Sequence, residues 1–319
     1  MLKKYSAKPK ISDNLVEQLL HNRGVETPEE KEKFLNPDFT SHLHDPFLLP
    51  DMKKAVDRIL SAIEKGERIG IWSDYDADGI PGGALLYDFF KLIGFSNFIN
   101  YIPDRHLEGY GLNNEGMEEL SKDGVKLLIT VDCGIRDCEK ILYAKKLGME
   151  VIITDHHEQD TKLPKAVAII NPKRADSKYP EKILCGAGVV WKLIEAILKT
   201  KRDLLKEGQE KWLLDLVGLA TLSDMVPLVG ENRALASYGL LVLRKTRRPG
   251  LVKLLKTLKM DQKNLNEDDV AFMITPRINA ASRMGHPRDA FNLLVAKDEI
   301  EAESYVQHLD NINKERKIL

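Results

Sequence analysis

Three aspartates stand at alternate positions in Asp74-Tyr75-Asp76-Ala77-Asp78-Gly79, one residue beyond the apolar run Ile69–Trp72. Like charges this close repel, and each costs free energy to desolvate. A divalent cation relieves both penalties, because hard ions favour carboxylate oxygens. Read alone, the segment could equally be a solvated acidic turn. Further candidates follow at Asp132 in Asp132-Cys133-Gly134, at His156 and His157 in Asp155-His156-His157-Glu158, and at Asp224 in Ser223-Asp224-Met225-Val226-Pro227. Each also has a bland reading as a turn, a surface pair or a helix end.

A carboxylate-rich set with imidazole and no thiolate suits Mn²⁺ or Mg²⁺, and the nitrogen ligand favours Mn²⁺. The acids exceed what a single ion requires, so two ions sharing a bridging carboxylate are expected, with Asp132 as the natural bridge. Two such ions activate a water and stabilise both oxygens of an in-line displacement at phosphorus. No Ser-His-Asp or Cys-His arrangement suggests a protein nucleophile, so hydrolysis by water activated on two ions is the direct reading.

These residues need elements that converge. Apolar strand-like runs occur at Ile69–Trp72, Phe98–Ile102, Lys126–Val131, Glu150–Thr154 and Ala166–Ile170. Helical stretches lie between them at Ala84–Ile93, Glu115–Ser121 and Arg136–Leu147. Alternation of this kind predicts an α/β fold, a parallel sheet flanked by helices with right-handed crossovers. In such sheets ligands bind beyond the carboxyl ends of the strands. The first four runs end respectively in the aspartate triplet, Asp104-Arg105-His106, Asp132-Cys133-Gly134 and Asp155-His156-His157. Chemistry therefore gathers at one edge.

A helical preface is expected over residues 1–50. It holds a short amphipathic helix through Val16, Leu19 and Leu20 and a helix start at Thr27-Pro28-Glu29-Glu30. A helix over Met52–Lys65 should end at Gly66. From Cys185 onward the chain reads as mainly helical: Gly186-Ala187-Gly188 opens a helix for packing, Leu213–Leu222 forms another, and the cluster Arg244, Lys245, Arg247 and Arg248 marks a helix C-terminus. The division expected is preface 1–50, catalytic domain 51–298, and over 299–319 a helix, with Ile300, Leu309 and Ile312 apolar, that begins a connection to a second lobe.

Composition bounds the rest. The 319 residues carry 48 basic and 49 acidic side chains, so contact with a polyanion must come from a local patch. Three cysteines, Cys133, Cys138 and Cys185, form neither a disulfide framework nor a paired zinc motif. The start Met1-Leu2-Lys3-Lys4 leads into polar sequence, and no run approaches the length of a membrane helix. A cytoplasmic protein is expected.

Asp76-Ala77-Asp78, Asp132-Cys133-Gly134, Asp155-His156-His157 and Ser223-Asp224 resemble, in order, the motifs of the DHH phosphoesterase superfamily. The surrounding text resembles its RecJ branch, single-strand-specific 5′→3′ exonucleases. Tyr101-Ile102-Pro103-Asp104-Arg105, Tyr110-Gly111-Leu112, Gly230-Glu231-Asn232-Arg233 and Pro276-Arg277-Ile278-Asn279-Ala280-Ala281 carry that likeness. It runs from about residue 15 to 319. The resemblance implies that Asp76 and Asp132 hold one ion, supported by Asp74, and that Asp78, Asp132, His156 and Asp224 hold the other. It implies that His157 meets the scissile phosphate, that Arg105 belongs to a 5′-phosphate pocket and that Tyr110 stacks on a base. Arg277, Asn279 and Arg283 would line the nucleic-acid path.

Two positions depart from the branch: Ser282 stands where glycine is usual, and Pro81-Gly82 where a small hydroxyl residue is common. Neither removes a ligand. Members of the branch continue beyond a helix such as 299–319 into a second lobe and often an oligonucleotide-binding fold, so a fragment or a short form is expected. The implied function is removal of nucleotides from the 5′ end of single-stranded DNA in repair or recombination, alongside other repair or replication proteins. The alternatives are a hydrolase of short oligonucleotides or cyclic dinucleotides and a replication scaffold without catalysis.

Overall fold

The computed structural model describes residues 8–318. The expectations that rest on residues 1–7 and on Leu319 lie outside the described residues. Two short helices, α1 (Leu15–Asn22) and α2 (Pro28–Leu35), form the preface. Thr27 and Glu30 cap α2 reciprocally, with Pro28 in the first turn. The amphipathic helix α3 (Met52–Glu64) then buries Met52, Ala55, Val56, Ile59 and Ala62.

Strands and helices alternate from there: β1 (Arg68–Ser73), α4 (Gly79–Leu92), β2 (Phe98–Tyr101), α5 (Asn114–Lys122), β3 (Val125–Val131), α6 (Cys138–Lys146), β4 (Glu150–Thr154) and β5 (Ala168–Ile170). All five expected strands occur, in one parallel sheet of order β2-β1-β3-β4-β5. The strands read as unbroken apolar runs because helices cover both faces: Ile69, Ile71, Leu127, Ile129 and Ile152 are fully buried. Helix α4 starts five residues earlier than its periodicity predicts. Its first turn, Gly79-Ile80-Pro81-Gly82, lacks an amphipathic pattern because it is buried on every side, and a first-turn proline loses no helical bond.

The C-terminal half is helical, as expected, with α7 (Gly186–Thr200), α8 (Leu214–Ser223), α9 (Gly230–Leu243), α10 (Pro249–Thr257), α11 (Thr275–Met284), α12 (Arg288–Val295) and α13 (Glu299–Ile318). Helix α13 buries Ala302, Val306, Leu309 and Ile312 in the same apolar core as α4 and α7. Ile300 falls off that stripe and is exposed. In the basic cluster, Arg244 does end α9, whereas Arg248 is half-buried and paired with Asp88 and Asp215. Among the described residues no helix is long and apolar enough to cross a membrane.

Chain order places the functional edge. From β1 the chain moves outward to β2, then returns across β1 to β3, so the direction of winding reverses between β1 and β3. At such a switch point the loops beyond the two strands part and leave a crevice.

Candidate metal centre

Register explains why the acids meet. Ser73 pairs with Val131, Val131 with Thr154, and Thr154 with Ile170, so the carboxyl ends of four strands are level. The ladder continues one residue further: the Asp74 amide donates to Val131 O (3.0 Å), Asp132 to Thr154 O (2.9 Å) and Asp155 to Ile170 O (3.1 Å). Three aspartates from three strands therefore stand in a row, and all are buried.

The loop from β1 to α4 supplies two more. The Asp76 carboxylate accepts the amides of Asp78 (2.8 Å) and Gly79 (3.0 Å), which curls the loop onto itself. Gly79 is required there, since a Cβ would lie 2.6 Å from Asp74 Cβ and its carbonyl oxygen. Asp78 points across to α7, where its two oxygens accept the first-turn amides of Gly186 (2.5 Å) and Ala187 (2.8 Å). A carboxylate at a helix N-terminus meets free amides and the positive end of the dipole. Gly186, read from sequence as a packing residue, thus anchors a site aspartate. It also admits Asp132, to which a Cβ at 186 would come within 2.6–2.7 Å. Asp132 itself holds φ +63°, left-handed backbone that a non-glycine residue rarely adopts.

Histidines from the β4 loop close the cluster. His156 Nε2 lies 3.1 Å from Asp132 Oδ1 and 3.7 Å from Asp78 Oδ2, and its Nδ1 lies 3.8 Å from Asp224 Oδ2 at the end of α8. Asp155, quoted in the motif but given no role, organises this loop. Its Oδ1 accepts the amides of His156 (2.7 Å) and His157 (3.0 Å) and the His157 Nδ1–H (2.8 Å), and its Oδ2 accepts Ile135 N–H (2.9 Å). Its place after a strand, like that of Asp132, is the signal that would have found it.

Three overlapping groups bring ligand atoms within 4.8 Å of one another: Asp74, Asp76 and Asp132; Asp78, His156 and Asp224; Asp132, His156 and His157. Burial, then the charge of Asp76, pushes the Asp74 carboxyl up to about 8. Asp132 and Asp78 are raised well above the ordinary carboxylate value, by burial and then by Asp78 and Asp224 respectively; the α7 amides on Asp78 oppose this and lose. Asp224 is pushed up to about 6 by burial and then by Asp76. His156 falls to about 4 through burial, then through His157, which leaves a neutral ring with one nitrogen lone pair to offer. The hydrogen bond to Asp155 raises His157.

The residues expected on the nucleic-acid path divide. Exposed Arg105 lies over the buried Tyr75 ring, 5.3 Å from its centroid. Tyr110 is half-exposed at the rim, with its hydroxyl 3.5 Å from His157 Nδ1 and 3.4 Å from the Asp132 carbonyl. Arg283 is exposed on α11, and its carbonyl accepts from His106 Nε2 (3.1 Å). Arg277 and Asn279 are placed otherwise. Arg277 is buried, with Nε and Nη2 on Asp310 Oδ1 (3.0 and 2.8 Å) and Nη1 on Met273 O (2.6 Å). Asn279 Oδ1 accepts the Ala77 amide at 2.9 Å. Ser282 is buried, and its hydroxyl donates to Asn279 O within α11.

The DHH family N-terminal domain model matches residues 68–221. A single-stranded-DNA-specific exonuclease RecJ from Bacillus subtilis is 42% identical over 303 residues, covering 95% of this chain and 37% of the longer relative. A solved structure of exonuclease RecJ bound to manganese superposes with a TM-score of 0.77 at 33% identity, over 87% of this chain and 68% of that one. The Mn²⁺ complex of RecJ from Thermus thermophilus gives a TM-score of 0.78 at 31% identity, over 94% of this chain and 41% of that one. On sequence and fold together, this chain belongs to the RecJ family of DHH proteins.

Proposed function

We propose that the chain is the catalytic portion of a two-ion phosphodiesterase that hydrolyses single-stranded DNA from its 5′ end, with Mn²⁺ preferred and Mg²⁺ accepted. One observation carries this reading. Inside the cluster Asp74 Oδ1, Asp132 Oδ1 and His156 Nδ1 are buried without a hydrogen-bond partner. Buried polar atoms left without a partner are costly unless a cation takes them, and all three residues belong to the overlapping groups above. Asp74, Asp76 and Asp132 would hold one ion, and Asp78, Asp132, His156 and Asp224 the other. The relatives support the choice: two are solved as manganese complexes, and the Bacillus subtilis protein is named for single-stranded-DNA-specific exonuclease action.

When bound, the ions supply Lewis acidity that lowers the pKa of water and neutralises charge on the phosphate. The chain does the rest. His157, whose protonated form the Asp155 hydrogen bond favours, donates a hydrogen bond to a phosphate oxygen, and its orientation is fixed before substrate arrives. Arg105 presents its guanidinium to a terminal 5′-phosphate, where two-point contact is strong. Tyr110 offers an open aromatic face to an unpaired base, and Arg283 continues the path. Residues 51–298 would act as the catalytic domain, with 1–50 as preface and 299–319 as the connection to a second lobe. A cytoplasmic role in repair or recombination, with other repair or replication proteins, fits this assignment.

Digestion of 5′- and 3′-labelled single strands with Mn²⁺, Mg²⁺ or chelator tests it. Mononucleotide release from the 5′ label with Mn²⁺, abolished by chelator, is expected. Strands left intact under all three conditions would refute the proposal, and rates falling sharply beyond a few nucleotides would favour a short-oligonucleotide hydrolase.

A further inference from the structure

Helix α11 carries none of the candidate ligands, yet it touches both ends of the cluster. At one end the buried amide of Ala77, between Asp76 and Asp78, donates to Asn279 Oδ1 at 2.9 Å. At the other, Thr275 Oγ1 lies 2.6 Å from the hydroxyl of Ser223, the residue before Asp224. Ser223 spends its single proton on Leu219 O (2.7 Å), so Thr275 is the donor. Thr275 and Asn279 are one turn apart and share a face of the helix. Arg277, two residues from each, faces away and is fixed to Asp310 of α13 by two hydrogen bonds.

We propose that α11 is a brace that sets the separation of the two ion sites, with Asn279 and Thr275 as its positioning residues. One contact holds the loop that bears Asp74, Asp76 and Asp78; the other holds the end of α8 that bears Asp224. The pair with Asp310 keeps the brace from shifting as a body. Asn279 thereby acts on the metals and not on the DNA. The inference rests on the two-ion reading above.

Groups that orient ligands from behind shift metal affinity about 10–100-fold when removed. Mn²⁺ binding is therefore measured by titration calorimetry and electron paramagnetic resonance on the full chain and on Asn279→Ala, Thr275→Val and Thr275→Ser. The wild type is expected to bind two Mn²⁺ as a spin-coupled pair. Asn279→Ala and Thr275→Val should each bind about tenfold more weakly and lose part of the coupled signal, with KM for single strands unchanged at saturating Mn²⁺. Thr275→Ser keeps the hydroxyl and should restore wild-type binding. If Asn279→Ala does not fold, the two Thr275 variants still decide. Coupled pairs of wild-type affinity in both disrupting variants would overturn the brace while leaving the two-ion reading intact, as would a change in KM alone. Wild-type protein that binds no Mn²⁺ would overturn both.

Discussion

Asp155 and His157 are joined through one carboxylate oxygen of Asp155, which receives the His157 ring Nδ1–H at 2.8 Å and the amides of His157 and His156 at 3.0 and 2.7 Å. Burial alone would raise the Asp155 carboxyl, yet these bonds hold it below its ordinary value. It therefore stays charged, favours the protonated form of His157 and keeps the ring aimed. Asp155→Asn should lower the single-turnover rate on single-stranded DNA by about 10²-fold, the scale of a lost proton donor. It should also destabilise the fold by about 1–3 kcal/mol, because an amide turned toward the Ile135 N–H leaves that buried donor unpaired. A variant with the wild-type rate would remove His157 from the chemistry.

Gly186 is predicted to be irreplaceable even by alanine. The added methyl would sit 2.6–2.7 Å from Asp132 Cβ, Cγ and Oδ1, and relief would move either the proposed bridging carboxylate or the α7 amides that hold Asp78. Overpacking of this kind costs about 1–3 kcal/mol. Thermal melts should show that loss, and calorimetry should show weakened Mn²⁺ binding beyond what the melt explains.

Much of this is legible in the chain itself. Bounded apolar runs mark all five strands, and the rule about strand carboxyl ends places Asp74, Asp132 and His156 on one edge. What stays hidden depends on contacts between residues far apart in the chain. Gly186 and Asp78 are 108 positions apart, and Asn279 and Ala77 are 202 apart. Nothing local to Asn279 or Arg277 distinguishes a side chain turned toward substrate from one turned inward. Periodicity also fails at the start of α4, where burial on all sides erases the amphipathic pattern.

Arg277 and Arg283 lie on the same helix and should behave differently. Asp310→Ala strands the buried Arg277 cation and should cost about 3 kcal/mol of stability, while the salt dependence of DNA binding stays unchanged. Arg283→Ala should leave stability within about 0.5 kcal/mol and reduce the slope of log affinity against log salt by about 1. Chemical denaturation and salt-titrated fluorescence anisotropy separate the two.

Metal and protons should compete in the fold itself. Asp74 at about 8 and Asp224 at about 6 stand above the ordinary 3.8. Between 3.8 and about 8 the metal-free folded state binds protons that the unfolded chain has released. Its stability must then fall as pH rises through that window. A bound divalent ion reverses the penalty on the charged carboxylates. Melting with chelator should show a lower midpoint at about pH 8 than at about pH 6, and the gain on adding Mn²⁺ should be larger at the higher pH. A chelated protein whose midpoint rises over that interval would contradict the charge crowding derived for this cluster.

The central claim is that two ions share Asp132. Anomalous diffraction from crystals soaked in Mn²⁺ tests it most directly. Two peaks are predicted, one among Asp74, Asp76 and Asp132 and one among Asp78, Asp132, His156 and Asp224. A single peak, or none touching Asp132, would contradict it.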